Sequence, residues 1–314
     1  MSTTKPAKQQ FNLEKIRHLY PFRNRYLKIK HSMEGVERES IIHYLDEGEG
    51  EPIVFLHGNP TWSFYFRKLI KSLRSQYRCI AIDHLGCGLS EKNWKGNYRL
   101  EDRVALVEEL LESLDVDKCH LVVHDWGGAI GIAYAVRNPD KIASVVVTNT
   151  AAFPSDWISW RINLCRLPMI GRFINYRLNG FLRAAMHMAS VKPLKKQIRT
   201  GYMLPYKKPR DRESIDQFVK DIPMNPNHPS YAYLKETEEK LGELDDSQIL
   251  LLWGMQDFCF TPYFLKRWRE TFPKAKAIEF KEAGHFLFED NPQESLTAIR
   301  EFLPLNSFSI GHQA

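Results

Sequence analysis

The stretch Cys119-His120-Leu121-Val122-Val123-His124-Asp125-Trp126-Gly127-Gly128-Ala129-Ile130-Gly131-Ile132-Ala133 sets a short apolar run against a run of small residues, with one aspartate between them. The first half has the length and β-branched content of a buried strand. The second reads as a helix that can pack closely because its side chains are small. Asp125 then stands at the tip of the turn, lifted above the end of a parallel sheet. Turns of this kind commonly carry serine. Serine needs a base before it can attack, whereas a carboxylate is already ionised at neutral pH and can attack carbon directly, forming an ester. The competing role for Asp125 is to cap the helix that follows, an ordinary use of aspartate.

Working outward, 314 residues suffice for one large core with an inserted subdomain, and 43% hydrophobic residues suit a soluble globular enzyme. Lys5, Lys8, Lys15 and Arg17 lie among polar neighbours, so no signal peptide is expected, and no apolar run has the length of a membrane span. The five cysteines, at 79, 87, 119, 165 and 259, are odd in number and show neither disulfide-framework nor zinc-site spacing. Reduced thiols in the cytoplasm, with no metal and no cofactor, are the expectation. The net charge of +6 is modest, but residues 155–222 hold 14 Lys or Arg against 5 Asp or Glu. Plain solvation is the ordinary explanation of such a face, and an acidic partner or an anionic lipid surface the other. No nucleic-acid-binding motif accompanies the charge.

Apolar runs of strand length at Ile53 to Leu56, Cys79 to Ile82, His120 to Val123, Ala143 to Thr148, Ile249 to Trp253 and Ala277 to Phe280 alternate with helical patterns. The helical patterns lie at Phe64 to Gln76, Leu100 to Leu114, Gly127 to Arg137, Pro262 to Phe272 and Pro292 to Phe302. This alternation predicts an α/β fold, a mostly parallel sheet covered on both faces. Two earlier runs, Arg25 to Ile29 and Ser40 to Leu45, predict a leading hairpin. Between Phe153 and Gly242 the rhythm changes to Trp-, Arg-, Met- and Pro-rich stretches, read as an inserted helical cap. The expected division is a tail over 1–18, a core over 19–153 and 243–305, a cap over 154–242 and a tail over 306–314. The chemistry-bearing residues fall at carboxyl ends of strands, where open parallel sheets bind ligands: His57-Gly58-Asn59-Pro60, Asp125, Asn149, Asp257 and Gly284-His285.

His285, just past the last strand, is a candidate base, and Asp257 could accept its other imidazole proton, giving the chain order nucleophile, acid, histidine. Asp257 could instead cap the helix near Pro262. Glu289 and Asp290 are rival acids but follow the histidine in the chain. The backbone N–H groups of Asn59 and Trp126 could form an oxyanion hole, Pro60 having none to offer. The Asn59 side-chain amide and the Trp126 indole N–H are two neutral donors suited to an anionic leaving group. Alternatively, Asn59 only shapes a turn and Trp126 only packs beneath the cap.

From about Tyr20 to Leu303 the sequence resembles the haloalkane dehalogenase branch of the α/β-hydrolase superfamily. The motifs that carry this are His57-Gly58-Asn59-Pro60-Thr61-Trp62-Ser63, Asp83-His84-Leu85-Gly86-Cys87-Gly88-Leu89-Ser90 and His124-Asp125-Trp126-Gly127-Gly128. The resemblance implies Asp125 as nucleophile, His285 as base, Asp257 as acid, and Asn59 with Trp126 as the donor pair. Within the branch, Asn149-Thr150-Ala151-Ala152-Phe153-Pro154, Tyr202 to Tyr206, Asp221-Ile222-Pro223 and Asp257-Phe258-Cys259-Phe260 look most like the β-lactone decarboxylases of bacterial long-chain olefin biosynthesis. That implies conversion of a cis-3-alkyl-4-alkyloxetan-2-one to a cis-alkene and carbon dioxide, with other enzymes of an olefin-biosynthesis assembly as partners. Trp157, Ile158, Trp160, Phe173, Ile174, Phe181, Leu182 and Met186 are candidates for an apolar tunnel that takes alkyl chains; ordinary packing between cap and sheet is their competing role. A haloalkane dehalogenase, hydrolysing an alkyl-enzyme ester, is the alternative. An epoxide hydrolase would use cap tyrosines such as Tyr202, Tyr206 or Tyr231, but such enzymes usually carry an aromatic residue where Asn59 stands. A non-catalytic binder in the same pocket is the reading from a different class.

Overall fold

The computed structural model describes residues 11–33, 36–92 and 99–303. Its strands are β1 (Arg25–Met33), β2 (Val36–Glu47), β3 (Pro52–Leu56), β4 (Arg78–Ile82), β5 (Cys119–His124), β6 (Ile142–Thr148), β7 (Ile249–Gly254) and β8 (Lys276–Phe280). They form one sheet in the order β1-β2-β4-β3-β5-β6-β7-β8, parallel except where β2 pairs with β1 and with β4. Helices α1 (Arg67–Leu73), α2 (Leu100–Ser113) and α3 (Trp126–Arg137) precede β6. Between β6 and β7 come α4 (Trp160–Arg166), α5 (Ile170–Arg172), α6 (Gly180–Met188), α7 (Lys196–Met203), α8 (Glu213–Lys220) and α9 (Tyr231–Glu239), with no strand among the described residues. The chain closes with α10 (Pro262–Thr271), α11 (Leu287–Asp290) and α12 (Pro292–Phe302).

Period-two alternation explains why the central strands are apolar throughout. Val54, Leu56, Leu121, Val123, Val145 and Val147 point into one core layer, which α2, α3 and α10 cover. Ile53, Phe55, Val122 and Val146 point into the other, covered by α1, α11 and α12. The expected fold class is the observed one. No helix of the described residues is long and apolar enough to cross a membrane.

Three local expectations change. The helix expected over Phe64 to Gln76 is a 3-10 turn at Ser63–Phe66 followed by the shorter α1. Phe64, Tyr65 and Phe66 are all fully buried, and one face of an α-helix cannot bury three consecutive side chains. The leading hairpin is longer than the two apolar runs, because backbone pairing continues through its polar outer residues. The weakly held tail expected through residue 18 is already packed at Leu13–Ile16, where Ile16 is fully buried in the same layer as Tyr20 and Trp62. The tail expected over 306–314 lies outside the described residues, as do residues 1–10.

Strand register sets up the site. β3, β5, β6 and β7 are adjacent and parallel, with Leu56 opposite Val123, His124 opposite Thr148 and Thr148 opposite Leu252. The loops after these four strands therefore emerge side by side. A β-carbon on Gly127 would lie 1.9 Å from the carbonyl oxygen of Leu56, so the start of α3 touches the end of β3. Gly127→Ala is expected to cost about 1–3 kcal/mol of stability through this overpacking; an unchanged urea midpoint would show that the contact is looser.

Candidate active site

Between β5 and α3 the chain reverses at a single residue. Asp125 has φ 51° and ψ −128°, a conformation costing a non-glycine residue on the order of 1–3 kcal/mol. The turn holds it there by hydrogen bonds: the Asp125 N–H donates to the Asn149 carbonyl at 3.2 Å, and the Asp125 carbonyl accepts from the Gly128 N–H at 2.8 Å. The Thr150 hydroxyl donates to that same carbonyl.

The Asp125 side chain is 6% exposed. Its Oδ1 accepts from the Asn59 N–H at 2.5 Å, and the Trp126 N–H also donates to the carboxylate. The two backbone donors expected to form an oxyanion hole thus converge on the carboxylate itself. Burial pushes its pKa above the ordinary carboxylate range, against the opposing pull of His285 and the two N–H groups. Gly58 makes the approach possible, since a β-carbon there would lie 2.0 Å from Oδ1.

The loop that presents Asn59 is locked by two histidines. The His84 N–H donates to His57 Nε2 at 3.1 Å, His84 Nε2 donates to the His57 carbonyl at 2.9 Å, and His57 Nδ1 donates to the Gly58 carbonyl at 2.8 Å. Asp83 ties the neighbouring loops, accepting from the N–H groups of Ser63 (2.7 Å) and Leu89 (2.8 Å) and lying 2.7 Å from His43 Nδ1. Burial alone would raise the Asp83 pKa; His43 and these donors bring it down to about 2.

His285 Nδ1 donates to Asp257 Oδ2 at 2.8 Å, and its Nε2 lies 3.7 Å from Asp125 Oδ2. The three sequence-selected residues are therefore in one line. Burial lowers the imidazole pKa, but the charges of Asp257 and Asp125 and the hydrogen bond to Asp257 outweigh it, leaving a net rise. Asp257 is fixed in turn by the Cys259 N–H (2.6 Å) and by Asn149 Nδ2 (3.0 Å). Asn149 also accepts from the Gly254 N–H at 2.8 Å and donates to the Gly254 carbonyl at 3.1 Å, clamping the end of β6 to the end of β7. The sequence placed Asn149 at a strand end but gave it no partner; the available signal was a polar residue directly after a strand with an apolar Val145–Val147 centre.

The rival acids are occupied elsewhere. Glu289 accepts from Arg67 at 2.6 and 2.9 Å, from Lys68 at 2.8 Å and from the Tyr202 hydroxyl at 2.6 Å. Asp290 accepts from the Ser190 hydroxyl and from the N–H groups of Val191 (3.0 Å), Lys192 (3.1 Å) and Gly284 (2.9 Å), which ties the segment after α6 to the loop of His285. Two of the three cap tyrosines are likewise engaged: besides Tyr202, the Tyr206 hydroxyl donates to the Thr61 carbonyl at 3.1 Å, and both rings are fully buried away from the cavity lining, which Tyr231 does not join either.

Above Asp125 and His285 lies a cavity of ≈ 440 Å³ with an almost wholly apolar wall. Asn59 and Trp126 line it. Asn59 Nδ2 donates to the Ile215 carbonyl in α8 at 3.2 Å, its Oδ1 is buried without a partner among the described residues, and the Trp126 ring packs 5.2 Å from Phe218. Of the expected tunnel residues, Trp157, Ile158, Trp160, Ile174 and Phe181 line the cavity. Phe173 and Met186 do not. Phe173 is 57% exposed, turned out at the end of α5, and Met186 is buried in the sheet-side core with Leu182. Helical period decides this on α6: Phe181, Ala184, Ala185 and Met188 share the cavity face, while Leu182 and Met186 share the other. Among the described residues no three His, Cys, Asp or Glu side chains gather as a metal site.

A family model described as alpha/beta hydrolase fold matches residues 51–167 and 177–292. The chain belongs to the alpha/beta hydrolase fold family. Among its hydrolase-fold relatives, a cis-3-alkyl-4-alkyloxetan-2-one decarboxylase of Shewanella oneidensis is 39% identical over 83% of this chain and 85% of its own length. One of the same name from Xanthomonas campestris is 34% identical over 84% and 92%. Haloalkane dehalogenase 2 of Mycobacterium tuberculosis is 32% identical over 90% and 96%. Among solved structures, the haloalkane dehalogenase DatA of Agrobacterium tumefaciens superposes with a TM-score of 0.75 at 26% identity, covering 89% of this chain and 95% of that one.

His285 binds its proton more tightly folded than unfolded, so its contribution to stability is present below about pH 6.5 and fades as pH rises through the raised folded value. With Asp257→Asn, burial is opposed by Asp125 alone, and the imidazole pKa measured by NMR is expected to fall below about 6.5. An unmoved titration would mean that Asp257 does not set the charge of the ring.

Proposed function

We propose that the chain is a cis-3-alkyl-4-alkyloxetan-2-one decarboxylase in which Asp125 is the nucleophile, with residues 154–242 as a cap that shapes the cavity for alkyl chains. The carrying observation is a buried carboxylate facing both an imidazole and an apolar cavity, in a chain 39% identical to a decarboxylase of that name. Each methylene moved from water into such a wall contributes about 0.8 kcal/mol, so two alkyl chains bind without charged contacts. Trp157, Trp160 and Phe181 would contact them.

Bond accounting favours attack by Asp125 Oδ2 at C4, the saturated ring carbon bonded to the ring oxygen. That breaks the C4–O bond, relieves ring strain and leaves an Asp125 ester with a free carboxylate on C3. The C3–carboxylate bond then breaks, its electron pair forms the C3–C4 double bond, and the C4–O(Asp125) pair returns to Asp125. Carbon dioxide and an alkene leave, with no water consumed. Inversion at C4 followed by departure from opposite faces keeps the alkyl groups cis. Attack at the carbonyl would instead give a mixed anhydride and a β-alkoxide, with no direct route to carbon dioxide.

Each residue then has a task. The Asn59 and Trp126 N–H groups hold the charge that Asp125 gives up and regains. The Trp126 indole N–H, and the Asn59 Nδ2 hydrogen not given to Ile215, would hold the carboxylate released from the ring. His285, its pKa raised and its ring oriented by Asp257, offsets the negative charges that coexist after ring opening.

The second reading, a haloalkane dehalogenase, has in its favour the 32% identical relative and the same line of Asp125, His285 and Asp257. There His285 would activate water to hydrolyse the alkyl ester. One experiment separates the two: the purified protein is given a cis-dialkyl β-lactone and, separately, a 1-bromoalkane, in ¹⁸O-labelled water. Alkene formation far exceeding bromide release, with no ¹⁸O in the Asp125 peptide after turnover, is expected. Dominant bromide release with label entering Asp125 would reverse the assignment.

A further inference from the structure

Residues 157–210 contain twelve Lys or Arg and no Asp or Glu. Among the described residues, Arg172 is the only cation of this stretch in a salt bridge, with Glu213 and Asp216. The same stretch holds most of the large apolar side chains that the fold leaves in water. Trp160 is 69% exposed, Met169 85%, Ile170 53% and Phe173 57%. Such a concentration of exposed apolar area marks a surface that meets something else.

Its position says what. Trp160 and Leu164 stand one helical turn apart on α4, and with Met188 on α6 they are both exposed and part of the wall of the cavity above Asp125. Apolar side chains of α4 thus meet both water and the nucleophile's cavity, and exposed Met169, Ile170 and Phe173 follow in the next turns of the chain. Cations border it: Arg161 sits 4.8 Å from the Trp160 ring, and exposed Arg177 closes the turn that Phe173 opens. An acidic protein partner would answer the charge but not an apolar edge that opens into an apolar cavity. A bilayer with anionic headgroups answers both, with guanidinium groups at phosphate level and large apolar side chains at the acyl boundary.

We infer that the α4–α6 face of the cap docks on an anionic lipid bilayer, with the cavity mouth against the acyl layer, so that an alkyl-chain ligand passes from membrane to site without crossing water. The identity of that ligand rests on the decarboxylase reading; the docking does not, and its test reads binding rather than turnover. The full chain is sedimented with vesicles of phosphatidylcholine alone and of phosphatidylcholine with roughly 30% phosphatidylglycerol. The expected result is about tenfold or greater preference for the anionic vesicles, falling as salt rises. Arg177→Glu should cut the preference severalfold, and Met169→Asn with Phe173→Ser should weaken binding by about tenfold. Both variants, altered only at exposed positions, should turn over a short-chain soluble lactone like the wild type. Equal sedimentation with the two vesicle types, or variants that sediment like the wild type, would overturn the inference. So would a wild type that ignores both vesicles while the same substitutions disrupt a complex with a second protein or a second copy. Vesicle binding as expected without any lactone turnover would leave the docking intact and remove the decarboxylase reading.

Discussion

The strained turn at Asp125 is the constraint on which the rest of the molecule depends. A positive φ at a non-glycine residue persists only where the surroundings over-determine it. Here they do: Asn149 and Thr150 from β6 hold its backbone, Asn59 from the β3 loop holds its carboxylate, and α3 is clamped against β3 at Gly127. These partners sit at the ends of two strands, β3 and β6, on either side of β5. The turn therefore requires the adjacent, parallel order of β3, β5 and β6, and the apolar runs of those strands are what supply it. The geometry of the site and the stability of the sheet share the same contacts.

Burial of charge is the second theme. Asp83 and Glu289 are buried carboxylates surrounded by hydrogen-bond donors or cations, and their partners hold loops and helices together. Asp125 differs, because one oxygen is held by N–H groups while the other faces His285 across 3.7 Å and borders an apolar cavity. A carboxylate so desolvated has lost its competing water shell, which favours attack on carbon. The Asn149–Asp257–His285 sequence of hydrogen bonds holds the compensating imidazole in place. Asn149 achieves this by bonding to both polar groups of Gly254, so the ends of two strands move as one.

Much of this was legible in the sequence, for definable reasons. Strands buried on both faces are mostly apolar, so β3 to β7 announce themselves. The strand–Asp125–small-residue pattern fixes a turn that few other structures need. Residues at strand ends converge because the sheet is parallel, which is why Asp125, His285, Asp257, Asn59 and Trp126 were found together. The misses have equally physical causes. Met186 and Phe173 are apolar and lie in the right segment, but which face of a short helix meets a cavity depends on packing that periodicity alone does not orient. Ile16 lies in a stretch with apolar residues at 11, 13, 16 and 19, too short to be read as an element on its own, and its burial depends on the distant Trp62 through Tyr20. The clamp by Asn149 and the anchoring of the segment after α6 by Asp290 join residues about one hundred positions apart, beyond any local pattern.

The central claim is covalent attack by the Asp125 carboxylate, and the most direct measurement is turnover of a cis-dialkyl β-lactone by Asp125→Ala, with folding checked by circular dichroism. Removing the only attacking atom from a folded protein should reduce alkene formation by roughly 10³-fold or more. Alkene formation within a few-fold of the wild type would contradict it.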